Sequence, residues 1–286
     1  MKKIPIISRE YKVMLEPQKF ADVADVADAV TEFWVDLCFF VHGNSREAVA
    51  AAPLRLTDER EIVFLDSPDH ELRLAHGYVL RRRQTCGSKT AEYTLKLRDL
   101  DRYVAAGADI NAAKKIEYVP KFEEDLILLP VGAGPSLMQH SRFSHSGTAC
   151  VRSSRKIPAD VAAAAQIFPG LKNLDWSEKK RKKIPLCAVN DFRPFERVYR
   201  GAEFVFGDKK GERVKAEVAV IVWTDGKTGP PLAAEFSFRY GDKRERYPAA
   251  AAQMAKDFFA AIGQLSAWVR PSAPTKTAIA YGARNN

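Results

Sequence analysis

Charged side chains recur two or four residues apart in several runs of this chain: Glu10 and Lys12, Arg81 and Arg83, Lys96 and Arg98, Arg213 with Lys215 and Glu217, and Glu235 and Arg239. Side chains two apart on a strand project to the same face. The residues between them, such as Leu95, Leu97, Val214, Val218, Phe236 and Phe238, are apolar, so a sheet of these runs has one charged and one oily face. The plain use of such a sheet leaves the charged face in solvent and packs the oily one on helices. A second arrangement closes about eight strands into a barrel with the charged faces inward. That lumen gathers arginines, lysines and a few carboxylates, and suits a polyanion with a divalent cation.

The elements that position these residues follow from the pattern. Ile6 to Leu15 reads as a strand ending at Glu16-Pro17, and Lys19 to about Val49 as one or two helices. Arg60 to Leu65 is a strand, Asp66-Ser67-Pro68-Asp69 a turn without chemistry of its own, and Gly77–Gln84 with Ala91–Arg98 a hairpin. Between 102 and 135 the pattern is mixed: Lys115–Val119 is strand-like, and Lys121 to Leu126 reads as the start of a helix. Residues of about 140–190 read as an insertion in a single domain spanning 1–286. Strands resume at Phe192–Tyr199, Glu203–Phe206, Arg213–Trp223 and Leu232–Tyr240, and a helix from Ala249 to about Val269 closes the order. The expected class is α+β: an antiparallel barrel with flanking helices.

Composition narrows the partners. Lysine and arginine number 45 against 36 acidic residues, a formal net charge of +9 over 286 residues, which favours anionic ligands. No run approaches the roughly 18 apolar residues of a membrane span. The start, Met1 to Ile7, is cut short by Ser8-Arg9-Glu10 before an export signal develops. Four cysteines without a Cys-x-x-Cys pair give neither a zinc site nor a disulfide framework, and a cytoplasmic setting is expected. Neither Gly-x-Ser-x-Gly nor a phosphate-binding Gly-x4-Gly-Lys-Ser/Thr loop is present.

One ordered block is more specific than any of its pieces. Ile62-Val63-Phe64-Leu65-Asp66-Ser67-Pro68-Asp69, then His76-Gly77-Tyr78-Val79-Leu80-Arg81-Arg82-Arg83, then Tyr93-Thr94-Leu95-Lys96-Leu97-Arg98, resembles the CYTH superfamily, the triphosphate tunnel metalloenzymes. More loosely, Ser8-Arg9-Glu10-Tyr11-Lys12 sits where that family has Glu-x-Glu-x-Lys. Ala216–Val220 and Ala234–Arg239 resemble its later acidic strands, and Thr275–Gly282 its closing lysine-to-glycine segment. The resemblance implies an eight-stranded tunnel that binds a triphosphate with Mg²⁺ or Mn²⁺. Family members hydrolyse inorganic triphosphate, thiamine triphosphate or RNA 5′ ends, or cyclise ATP.

It also implies roles. Arg81, Arg83, Lys96 and Arg98, joined by Lys12, Lys215, Arg239 and Lys276, would contact phosphate oxygens. Glu10, Glu217 and Glu235 would hold the metal. The alternative for these glutamates is a set of salt bridges to the same cations. This chain departs from the family pattern at Ser8 and Ser237, each standing where a carboxylate is expected, and hydroxyls supply no negative charge.

The expected function is therefore binding of a tri- or polyphosphate compound, with metal-dependent hydrolysis of its terminal phosphoanhydride. Its rival is a non-catalytic phosphate-ligand sensor, with adenylate cyclisation and nucleic-acid binding as weaker alternatives. His140 and His145 read as surface residues of a polar loop. The basic run 179–183 reads as a solvated loop, and Phe258, Phe259 and Trp268 as core.

Overall fold

The computed structural model describes residues 4–21, 26–44, 52–132, 136–177, 183–207 and 212–282. Among the described residues there are ten strands: β1 (Ser8–Leu15), β2 (Arg55–Asp66), β3 (Tyr78–Thr85), β4 (Thr90–Asp99), β5 (Tyr118–Pro130), β6 (Leu137–Arg152), β7 (Cys187–Ala188), β8 (Pro194–Phe206), β9 (Val214–Asp225) and β10 (Pro231–Gly241). The helices are α1 (Val26–Asn44), α2 (Glu71–Leu74), α3 (Arg102–Ala106), α4 (Val161–Ala164), α5 (Ala249–Ile262) and α6 (Lys276–Ala280).

Nine strands pair in the order β3-β4-β6-β5-β1-β10-β9-β8-β2, and β2 pairs back onto β3, so the sheet closes into a ring. All ring contacts are antiparallel except β1 with β5, which run parallel with Glu10 opposite Asp125. The short β7 adds to β2 at Leu65 and Asp66. The expectation of about eight strands thus becomes nine in the ring.

The difference comes from residues 118–152. The segment expected to begin a helix at Lys121 is β5, and the first part of the insertion expected at about 140–190 belongs to β6, which pairs with both β5 and β4. The part of the expected insertion that lies outside the ring begins after Arg152. Both strands are polar on two faces. On β5, Glu124 faces outward to an ion pair with Arg9 while Glu123 and Asp125 face inward, which hides the two-residue period. In β6, Gly147 is required by close approach, since a Cβ there would lie 2.3 Å from the Ile110 carbonyl oxygen.

The oily faces turn outward onto two packed layers. Tyr11, Val13 and Leu15 of β1 and Phe236 and Phe238 of β10 meet α1 and α5. Those helices present Val30, Phe33 and Leu37, and Phe258, Phe259 and Ile262, at helical spacing. Trp268 joins this core and donates its indole N–H to Asp36. On the other side, Leu80, Tyr93 and Leu95 pack against Val161, Phe168, Leu171 and Trp176 of the segment that follows the ring strand β6.

One end of the ring is closed. Met14, Ile62, Phe64, Trp223 and Ala233 point inward and pack with Ala280 of α6 and with the half-buried Ala273, Ile279 and Tyr281. Polar contacts hold this C-terminal segment: the Tyr281 hydroxyl donates to Asp66 Oδ2 at 2.9 Å, Asn190 Nδ2 donates to the Ala280 carbonyl at 3.1 Å, and Lys276 pairs with Glu235. Asp66, in the turn expected to be only a turn, also accepts backbone N–H bonds from Ser67, Leu72 and Arg73. No described helix is long and apolar enough to cross a membrane.

Candidate anion site inside the ring

Parity places the charges. Glu10 and Lys12 of β1, Arg81 and Arg83 of β3, Lys96 and Arg98 of β4, and Glu235 and Arg239 of β10 all line one cavity of about 320 Å³ inside the ring. Lys276, on the first turn of α6, reaches the same cavity from the closed end. Cations far outnumber carboxylates on this wall, because Arg60 of β2, Lys121 of β5, Arg142 of β6 and Arg200 of β8 also border it, with Glu123 and Asp125 of β5.

Lys215 and Glu217 stand elsewhere. With Arg239, Lys121 and Glu123 they line a shallow recess beside Ser8, at the opposite end from the apolar plug. Lys215 is paired with Glu203 at 3.2 Å and its side chain is 74% exposed; Glu217 is paired with Arg239 at 2.8 Å and is 63% exposed.

Asp125, invisible in the sequence pattern, is the hub of the middle tier. Its Oδ1 lies 2.9 Å from Lys12 Nζ, and its Oδ2 lies 2.7 Å from Arg98 Nη2 and 3.5 Å from Lys96 Nζ. Burial alone would raise its pKa, but these three cations hold the carboxyl well below the usual range. Glu10 is also held low: burial pushes it up, and Lys12 at 2.8 Å more than offsets that. Burial pushes Lys96 down to about 8, with Arg98 and Lys12 adding to it against the pull of Asp125.

A second hub, Glu196 of β8, is fully buried and was missed because its strand partners are distant in sequence. It accepts from Trp223 Nε1 at 2.9 Å and faces Arg60 at 3.4 Å and Arg83 at 3.6 Å. Burial would raise its pKa; Arg83, Lys276, the indole bond and Arg81 together bring it down to about 2.

Arg81 has no ion-pair partner among the described residues. Burial, then the charges of Arg83 and Arg60, push it down to about 9. The Nε atoms of Arg60, Arg81 and Arg83 are buried without a hydrogen-bond acceptor. Guanidinium groups keep their proton at neutral pH; Arg60 is offset by Asp58 at 2.9 Å and by Glu196, and Arg83 by Glu196, so the charge left uncompensated in this corner of the cavity is that of Arg81.

The expected metal ligands do not assemble. Glu10 is held by Lys12, Glu235 by Lys276 at 2.9 Å, and Glu217 by Arg239, three separate ion pairs. Ser8 donates its hydroxyl hydrogen to Glu123 at 2.7 Å, and Ser237 is buried opposite Lys12. Among the described residues no three His, Cys, Asp or Glu side chains group to hold a cation. The donor set present therefore does not fit a divalent metal.

Neither His140 nor His145 borders the cavity. His145, expected on the surface, is buried against the Phe122 ring below α3, and burial lowers its pKa. Of the basic run, residues 179–182 lie outside the described residues.

No protein-family model and no curated protein matches the chain. Among solved structures it is similar to a Hippeastrum "putative adenylyl cyclase" for which a dominant triphosphatase activity is described. That likeness has a TM-score of 0.40 at 10% identity and covers 98% of both chains. It is also similar to a protein of Pyrococcus horikoshii OT3, with a TM-score of 0.27 at 9% identity over 88% of both chains.

Proposed function

We propose that the ring interior binds the phosphate chain of a tri- or polyphosphate compound. The observation that carries this reading is the corner made by Arg60, Arg81 and Arg83, where three buried guanidinium Nε atoms lack acceptors and Arg81 has no ion-pair partner among the described residues. An anion is the missing counter-charge. Lys12, Lys96 and Arg98 extend the positive wall away from that corner, and Lys276 adds to it from the closed end, so several phosphates in a row find donors where a single one would leave most unused. The motif resemblance of 62–98 points to the same ligand class.

The binding reading stands ahead of the hydrolytic one because the glutamates expected to serve a metal are each neutralised by a chain cation. Arg81, Arg83, Lys96 and Arg98 contact phosphate oxygens in this reading, as do Lys12, Arg239 and Lys276. Lys215, exposed at the recess, attracts the ligand toward the open end rather than holding it inside.

The test is calorimetric titration with tripolyphosphate, ATP and thiamine triphosphate, alongside a phosphate-release assay with Mg²⁺, Mn²⁺ or EDTA. Binding without phosphate release is expected. Metal-dependent release would establish a phosphohydrolase, and no binding of any of the three would remove the reading.

A further inference from the structure

We infer that the interior holds its phosphate ligand without a divalent cation, the Lys12 ammonium standing between Glu10 and Asp125 where a metal would otherwise neutralise them; the inference rests on the phosphate-binding reading above. Glu10 and Asp125 are direct neighbours on the parallel strands β1 and β5 and face the same cavity. Like charges so placed repel. Lys12 Nζ lies 2.8 Å from Glu10 Oε2 and 2.9 Å from Asp125 Oδ1, and so joins both carboxylates.

The other carboxylates bordering the cavity have partners too, a cation at Glu235 and a neutral hydroxyl at Glu123. Lys276 meets Glu235 at 2.9 Å, and Ser8 donates to Glu123 at 2.7 Å. A hard divalent cation takes roughly six oxygen donors and would have to displace these partners. It would also add positive charge beside Arg98 and Lys96, which already share Asp125. A free polyphosphate brings the negative charge that Arg81 and its neighbours lack, whereas the same chain complexed with Mg²⁺ brings less of it.

The full chain is titrated with tripolyphosphate in EDTA and in excess Mg²⁺, and Mn²⁺ alone is titrated into wild type and Lys12→Ala by electron paramagnetic resonance. The expected result is affinity in EDTA at least equal to that in Mg²⁺, with Mg²⁺ weakening it by up to about tenfold as it masks ligand charge. Wild type should not retain Mn²⁺, and Lys12→Ala should gain Mn²⁺ affinity by about tenfold or more, since it leaves two adjacent carboxylates uncompensated. Tripolyphosphate binding that requires Mg²⁺, stoichiometric Mn²⁺ on wild type, or a folded Lys12→Ala without that gain would overturn the inference. Should circular dichroism show that the variant fails to fold, the wild-type titrations decide. Tripolyphosphate that binds under neither condition sinks the phosphate-binding reading itself, while the Mn²⁺ titrations still judge the place of Lys12.

Discussion

Trp223 donates its indole N–H to Glu196 Oε2 over 2.9 Å, and the carboxylate so oriented faces Arg60 and Arg83 from a position no solvent reaches. It sits where the apolar plug meets the cationic cavity, so it belongs to both the stability of the ring and the charge of the site.

Glu196→Gln should therefore destabilise the fold by about 3 kcal/mol at neutral pH, because it leaves buried guanidinium groups without their counter-charge. The folded carboxyl titrates at about 2 against an ordinary 4.5. A depressed folded value stabilises above the ordinary pKa, and that contribution is lost as pH falls toward 2. Urea unfolding of both proteins from pH 7 downward checks this. The gap between them should close in acid, and a constant gap would mean that the Glu196 charge does not carry the difference.

Lys96 gives the site its own pH dependence. Its ammonium is needed to meet a phosphate, and burial holds it at about 8 in the free protein. Tripolyphosphate affinity should fall as pH rises above that value, by roughly tenfold per pH unit, relative to Lys96→Met measured in parallel. Parallel profiles would place Lys96 away from the ligand.

Asp125→Asn separates stability from binding. Removing the charge that holds Lys12, Lys96 and Arg98 should lower stability by about 3 kcal/mol. The same change frees three cations, so a folded variant should bind tripolyphosphate more tightly. Denaturant unfolding and calorimetry on one preparation read both effects, and weaker binding by a folded variant would make Asp125 an organiser of the cations rather than their competitor.

Much of the ring was legible because its strands alternate. The 78–99 hairpin, β1 and β10 place Glu10, Lys12, Arg81, Arg83, Lys96, Arg98, Glu235 and Arg239 on inward faces, as parity alone requires. The pattern failed where both faces of a strand are polar. Glu123, Glu124 and Asp125 run together because Glu124 serves Arg9 outside while its neighbours serve the cavity. The parallel β1–β5 contact, which creates the Glu10–Lys12–Asp125 cluster, joins residues more than a hundred positions apart and leaves no local signal. Glu196 was hidden similarly, since its significance comes from Trp223 and Arg83 on other strands.

The C-terminal closure can be loosened by one atom. Tyr281→Phe removes the hydroxyl that Asp66 Oδ2 accepts from and leaves the stacked ring over Arg73 in place. A cost of about 1 kcal/mol is expected in thermal or denaturant unfolding. Because the same segment carries Lys276 to Glu235, tripolyphosphate should also bind less tightly. Unchanged affinity with reduced stability would confine Tyr281 to the fold.

The most direct measurement of the central claim is a calorimetric titration of tripolyphosphate into wild type and Arg81→Ala side by side. Arg81 is an inward-facing cation without an ion-pair partner among the described residues, so replacing it removes positive charge that no carboxylate there has claimed. Saturable binding by wild type and a loss of about tenfold or more in a folded Arg81→Ala protein is the expected result. Equal affinity in the two proteins would contradict a phosphate chain held inside the ring.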